Sequence, residues 1–201
     1  MIFSMVRTQR TLFLLVLLGT SAAVWGVGTA TAKECLNVSF PDQVAVNGST
    51  LALNGLGLRQ ATALKINVYV AALYVASTSA DANAILGASA PKQMILHFVR
   101  GVSRSDLTKA RDEGFEANAK EQLPALKARV EKFKSMMTDM KSGERMSFTY
   151  KPGSGVLVDV SGTAKGTIEG DDFAKALLSI WLGAHPPNSE LKAGLLGGPC
   201  R

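Results

Sequence analysis

Two side chains in this sequence have the types and setting for chemistry on an anion. Arg59 closes the glycine-punctuated run Asn54-Gly-Leu-Gly-Leu-Arg59, and Tyr69 lies inside Leu64-Lys-Ile-Asn-Val-Tyr-Val-Ala-Ala-Leu-Tyr-Val75. A guanidinium fork and a phenol hydroxyl converging in an apolar cleft can hold a carboxylate or a developing oxyanion, since the fork offers paired donors and a charge that does not titrate. Spacing alone leaves a plainer alternative open and leans toward it: Arg59 paired at the surface, Tyr69 packed beneath a helix.

Other chemistry is poorly represented. Gly55-Leu56-Gly57 lacks the third glycine of a dinucleotide loop, and no Walker-type lysine motif occurs. Gly153-Ser154-Gly155 lacks the spacing of a nucleophile elbow and reads as a hairpin turn. A metal centre needs clustered ligands, and the two histidines, His97 and His185, stand far apart, so no metal and no cofactor are expected. His97 reads as a hydrogen-bonded strand residue. Asp112-Glu113 and Asp171-Asp172 are neighbours that point in different directions on helices, which makes them solvated surface and N-terminal charge rather than acid–base pairs.

Composition excludes further classes. At 47% apolar and 19% charged, the 201 residues can build a core, and the net charge of +6 is scattered rather than clustered, so no nucleic-acid surface is expected. Residues 1–32 read as a cleaved export signal: Arg7 and Arg10 precede the apolar run Leu12–Leu18, and Ala30-Thr31-Ala32 is small enough for a signal peptidase. The expectation is a periplasmic or secreted protein with no stable membrane span after cleavage, leaving one domain over 33–201. A lipoprotein is disfavoured, because Lys33-Glu34 precedes Cys35. Cys35 and Cys200 are the only cysteines and flank that domain, so export would pair them in a disulfide; two free thiols on frayed ends is the alternative.

The elements follow from periodicity. Val44-Ala-Val46 and Leu51-Ala-Leu53 around Asn47-Gly48 predict a hairpin, and Asn54–Arg59 a loop or strand end. Leu64–Val75 alternates as a strand, with Tyr69 on its more polar face. Met94–Arg100, Met146–Tyr150 and Val156–Val160 are further strands. Helices are expected from Ser103 to about Asn118, from Pro124 with the stripe Leu126, Val130, Phe133, Met137 and Met140, from Asp171 to Gly183, and from Ser189 to about Gly197. Strands, two helices, strands, two helices is the order of an α+β domain whose mainly antiparallel sheet is covered by helices.

The run Leu53–Arg59 followed by Lys65–Val75 resembles the chalcone isomerase superfamily. The likeness extends through Pro91–Arg100, the Ser103 helix and Gly166–Gly170 to Asp172–Gly183, and is nearest to exported bacterial chalcone isomerase-like proteins. It implies an open-faced β-sandwich, a large mainly antiparallel sheet with helices on one face and a ligand cleft between. In the enzymes of that superfamily an arginine stabilises a phenolate that adds to an enone, a threonine and a tyrosine hold the water or hydroxyl that polarises the ketone, and an asparagine and a second threonine flank the ring.

Carried over by position, the arginine is Arg59. Tyr69 stands where the first threonine would be, as in the plastid fatty-acid-binding relatives, where arginine and tyrosine grip a carboxylate. The tyrosine and asparagine should fall between Ser103 and Glu113, which holds neither type; the nearest asparagine is Asn118. The second threonine falls near Thr163–Thr167. The resemblance thus implies a non-catalytic protein whose Arg59 and Tyr69 bind an apolar ligand with an acidic group, such as a fatty acid. The alternative is an isomerase, an intramolecular lyase acting on a chalcone-like enone with Arg59 stabilising the oxyanion. A third reading is a structural or partner-binding envelope protein with an empty cleft. Oligomeric state stays open.

Overall fold

The computed structural model describes residues 31–46, 48–62 and 64–201. All but the last two residues of the expected signal lie outside the described residues, as does Asn47 of the expected turn. The chain forms strands β1 (Ala32–Cys35), β2 (Val38–Pro41), β3 (Gln43–Val46), β4 (Ser49–Ala61) and β5 (Ile66–Val75), helix α1 (Ala82–Gly87), strand β6 (Lys92–Phe98), helices α2 (Arg104–Ala119) and α3 (Leu123–Ser135), strands β7 (Arg145–Lys151), β8 (Gly155–Val160) and β9 (Thr163–Ile168), and helices α4 (Asp171–Leu182) and α5 (Ser189–Leu195). β3 to β9 pair in sequence order as one seven-stranded antiparallel sheet, and β1 with β2 makes a separate hairpin. This is the expected α+β architecture, helices on one face of a large antiparallel sheet.

Two cores lie on the two faces. On the helix side, Phe115, Phe133, Phe148, Phe173 and Trp181 stack with ring centroids 5.6–6.2 Å apart. Such edge and tilted pairs add to the burial of the rings. On the other face, Phe40 and Val38 of the hairpin cover Leu53, Leu58, Val70 and Tyr74. Cys35 and Cys200 form the disulfide, with Cα atoms 6.0 Å apart, so β1 is tied to the segment after α5.

Asn54–Arg59 is neither loop nor strand end, as the sequence suggested, but the middle of the thirteen-residue β4. The pairing of β4 with β5 shifts between Leu53 and Gly55, which makes Asn54 a bulge residue. Its side chain replaces the lost ladder bonds: Nδ2 donates to Leu195 O (2.7 Å) and Ser79 O (3.0 Å), and Oδ1 accepts from Ser79 N (2.7 Å). Since strand residues alternate in facing, one extra residue moves every later side chain to the other face. Leu51, Leu53, Leu56 and Leu58 therefore all face the hairpin, while Gly55, Gly57 and Arg59 turn to the helices.

Those glycines admit α5. A Cβ on Gly55 would stand 2.1 Å from Gly194 O, and one on Gly57 2.3 Å from Leu191 O. A second shift, between Arg59 and Gln60, makes Val68 the extra residue in β5.

Other differences have simple causes. β1, β2, α1 and β9 are short, and β9 carries few apolar residues, so periodicity does not mark them. Met137 and Met140 are buried but lie beyond the end of α3. Tyr69 is not on a polar face: it is 4% exposed and shares the helix-covered side with Ala71, Leu73 and Val75.

Candidate functional site

Arg59 and Tyr69 are direct cross-strand partners on β4 and β5, so their side chains leave the same face as neighbours. Arg59 is half-buried. Its Nη1 donates to Pro187 O at 3.1 Å and to Gln60 O, which fixes the plane of the guanidinium. Among the described residues, neither Nε nor Nη2 of Arg59 has a protein acceptor. The Pro187 carbonyl is itself held: Asn188 Nδ2 donates to Leu58 O (3.1 Å), and Asn118 bonds both the amide and the carbonyl of His185 at 2.9 Å. Asn118 thus anchors the turn after α4.

The Tyr69 hydroxyl accepts from Trp181 Nε1 at 3.0 Å, and the ring meets Phe98 edge-on with centroids 5.6 Å apart. With one lone pair occupied, the hydroxyl keeps its proton for a further acceptor.

A third residue, absent from the sequence reading, completes the group. Arg111 of α2 is 2% exposed, with its guanidinium 4.7 Å from the centre of the Trp181 ring and 5.8 Å from that of Phe148. Its Nε and Nη2 are buried without a hydrogen-bond partner. Burial pushes its pKa down; the adjacent Tyr69 hydroxyl opposes this, and the charge of Arg59 adds to it. An arginine remains protonated even so. The ion pairs among the described residues include neither Arg59 nor Arg111. The sequence did carry a signal for Arg111: Leu107, Arg111, Phe115 and Ala119 recur at every fourth position, so a charge interrupts the buried stripe of α2.

These three side chains line a cleft of about 580 Å³ between the Arg59–Tyr69 end of the sheet and α2. Val68, Val102, Leu107, Ala110 and Gly114 supply apolar wall, while the exposed Arg100, Asp106, Glu113 and His185 stand at the rim. Asp106 is engaged by Ser103, whose hydroxyl donates to it at 2.7 Å and caps α2. Thr163 and Thr167 lie on β9, an edge strand four places from β5, and do not line the cleft.

The remaining expectations fall elsewhere. His97 accepts from Arg145 Nε at 3.1 Å and is a bonded strand histidine. Among the described residues, no cluster of three or more His, Cys, Asp or Glu could hold a metal, and no helix is long and apolar enough to cross a membrane.

An α+β sheet with a cleft under its helices is the architecture of the chalcone isomerase-like family, and the chalcone isomerase-like family profile matches residues 32–197. The chain belongs to that family. Among solved structures it is similar to the Arabidopsis thaliana fatty-acid binding protein AtFAP1, with a TM-score of 0.62 and 16% identity over 83% of this chain and 95% of that one. No curated protein matches the sequence.

Proposed function

We propose that this protein is an exported, non-catalytic carrier that binds an apolar small acid, with a fatty acid as the model ligand, in the cleft between sheet and α2. The observation that carries the reading is the cross-strand pair Arg59–Tyr69, with donors left over in a largely apolar cleft. A carboxylate there would accept from Arg59 Nε and Nη2 and from the Tyr69 hydroxyl, while the chain lay against Val68, Val102 and Leu107.

Two further facts support binding over turnover. A similar solved structure is that of a fatty-acid binding protein. The stretch of α2 where the enzymes of the superfamily carry their tyrosine and asparagine presents Arg104, which is exposed, and Arg111. Removing aligned donors costs orders of magnitude in rate.

Native mass spectrometry of the protein recovered from its export compartment, beside Arg59→Ala, tests the proposal. A small acid bound to the wild type and lost in the variant is the expected result. An empty wild-type protein that also takes up no apolar acid, laurate and dodecyl phosphate included, would overturn it.

A further inference from the structure

The cleft holds more positive charge than a single carboxylate needs. Arg59 and Arg111 both line it and neither has a carboxylate partner; among the described residues Arg59 keeps Nε and Nη2 without an acceptor, and Arg111 Nε and Nη2 are buried without one. Tyr69 stands between them, register partner of Arg59 and neighbour of the Arg111 guanidinium, with its proton free for an acceptor. A buried cation without a counter-charge is costly. Arg111 sits in that condition with two aromatic faces and the neutral Tyr69 hydroxyl for compensation, none of which carries a counter-charge. The nearest acids do not supply it: Asp106 is held by Ser103 and is exposed, and Glu113 is exposed.

We infer that the head group this cleft is built for carries two negative charges and more than two acceptor oxygens, as a phosphomonoester does, on a single apolar tail. This rests on the carrier reading and names the ligand class for the same site. A monocarboxylate offers two oxygens and one charge, which would satisfy Arg59 and leave Arg111 uncompensated. A phosphomonoester offers three terminal oxygens and a charge of roughly −1.5 to −2 at neutral pH. Three oxygens meet three donor groups, and two charges meet two guanidinium forks. Planar forks that bond two oxygens at once favour such a group over a point-like anion.

Titration calorimetry of the full chain with laurate and with dodecyl phosphate, equal in tail length, separates the possibilities. The wild type is expected to bind dodecyl phosphate about tenfold or more tighter than laurate, the factor that one added charge-assisted bond is worth. In Arg111→Met, which keeps the packing volume, that preference should shrink to within about threefold, with laurate still bound. Arg111→Lys, which keeps the charge and loses the fork, should fall between the two. The empty Arg111→Met protein should also melt higher than the empty wild type, because an uncompensated charge has been removed.

Laurate bound as tightly as dodecyl phosphate by the wild type would overturn the inference and leave the carrier reading standing. Failure to bind either would overturn both. An Arg111→Met protein that melts lower and keeps the full preference would make Arg111 a structural residue and end the inference.

Discussion

Trp181 Nε1 donates to the Tyr69 hydroxyl at 3.0 Å, joining the last turn of α4 to β5 across 112 residues of sequence. The same indole presents its face to Arg111. One tryptophan thus orients both the phenol and the buried guanidinium of the cleft without lining it itself. Trp181→Phe keeps a ring but removes the donor and leaves some void. A loss of about 1–3 kcal/mol in urea unfolding is expected, with ligand affinity falling severalfold.

Tyr69→Phe should cost a similar amount, since it leaves the buried indole N–H without an acceptor. Because both changes break one bond, the double variant should be less destabilised than the sum of the singles by about 0.5 kcal/mol or more. Strict additivity would show that the bond contributes nothing.

What was legible in the sequence was the periodic part. β5 to β8 and the helices α2 and α4 announce themselves through alternation, caps and apolar stripes. β4 did not, because Asn54, Gly55 and Gly57 look like loop punctuation. Their reason is tertiary: a bulge that re-aims the strand and a helix that lies on its backbone, neither of which a local pattern encodes. Arg59 was found because it follows that glycine run. Arg111 was missed because a lone arginine on a helix is ordinarily surface, although its place in the stripe of Leu107, Phe115 and Ala119 marks it as buried. The place of Tyr69 was right, but its face was misjudged, since the extra residue Val68 breaks the alternation and puts Asn67 and Tyr69 on opposite faces of the sheet.

Gly57→Ala tests the close approach of α5 to β4. The added methyl would sit 2.3 Å from Leu191 O and 2.7 Å from Leu191 Cδ1, and a backbone carbonyl cannot swing aside as a side-chain tip can. α5 must shift, and with it the 187–188 segment that orients Arg59. A loss of roughly 1–3 kcal/mol is expected, with weaker ligand binding beyond what stability alone explains. Gly87→Ala is the control, since nothing lies within 4 Å of its Cβ position at the end of α1. It should be neutral or slightly stabilising in thermal melts. Equal effects of the two would refute the packing argument.

His97 gives the fold a pH dependence of definite sign. Its Nδ1 accepts from Arg145 Nε at 3.1 Å, and Arg145 in turn lies 5.2 Å from the centre of the Phe40 ring, so the strand histidine, the arginine and the hairpin form one chain of contacts. Protonating His97 would remove that acceptor and set a second cation beside Arg145. Burial, and then the charge of Arg145, accordingly hold its pKa below the ordinary value of 6.5. A histidine that binds its proton less readily when folded favours unfolding in acid: its contribution is present above about pH 6.5 and is lost as pH falls below it. Urea midpoints measured from pH 7.5 to 5.5 should fall across this window. His97→Gln, which can still accept from Arg145 but does not titrate, should flatten the fall while changing the pH 7.5 midpoint little. Superimposable profiles for the two proteins would show that the loss in acid comes from other groups and that His97 does not couple the hairpin to pH.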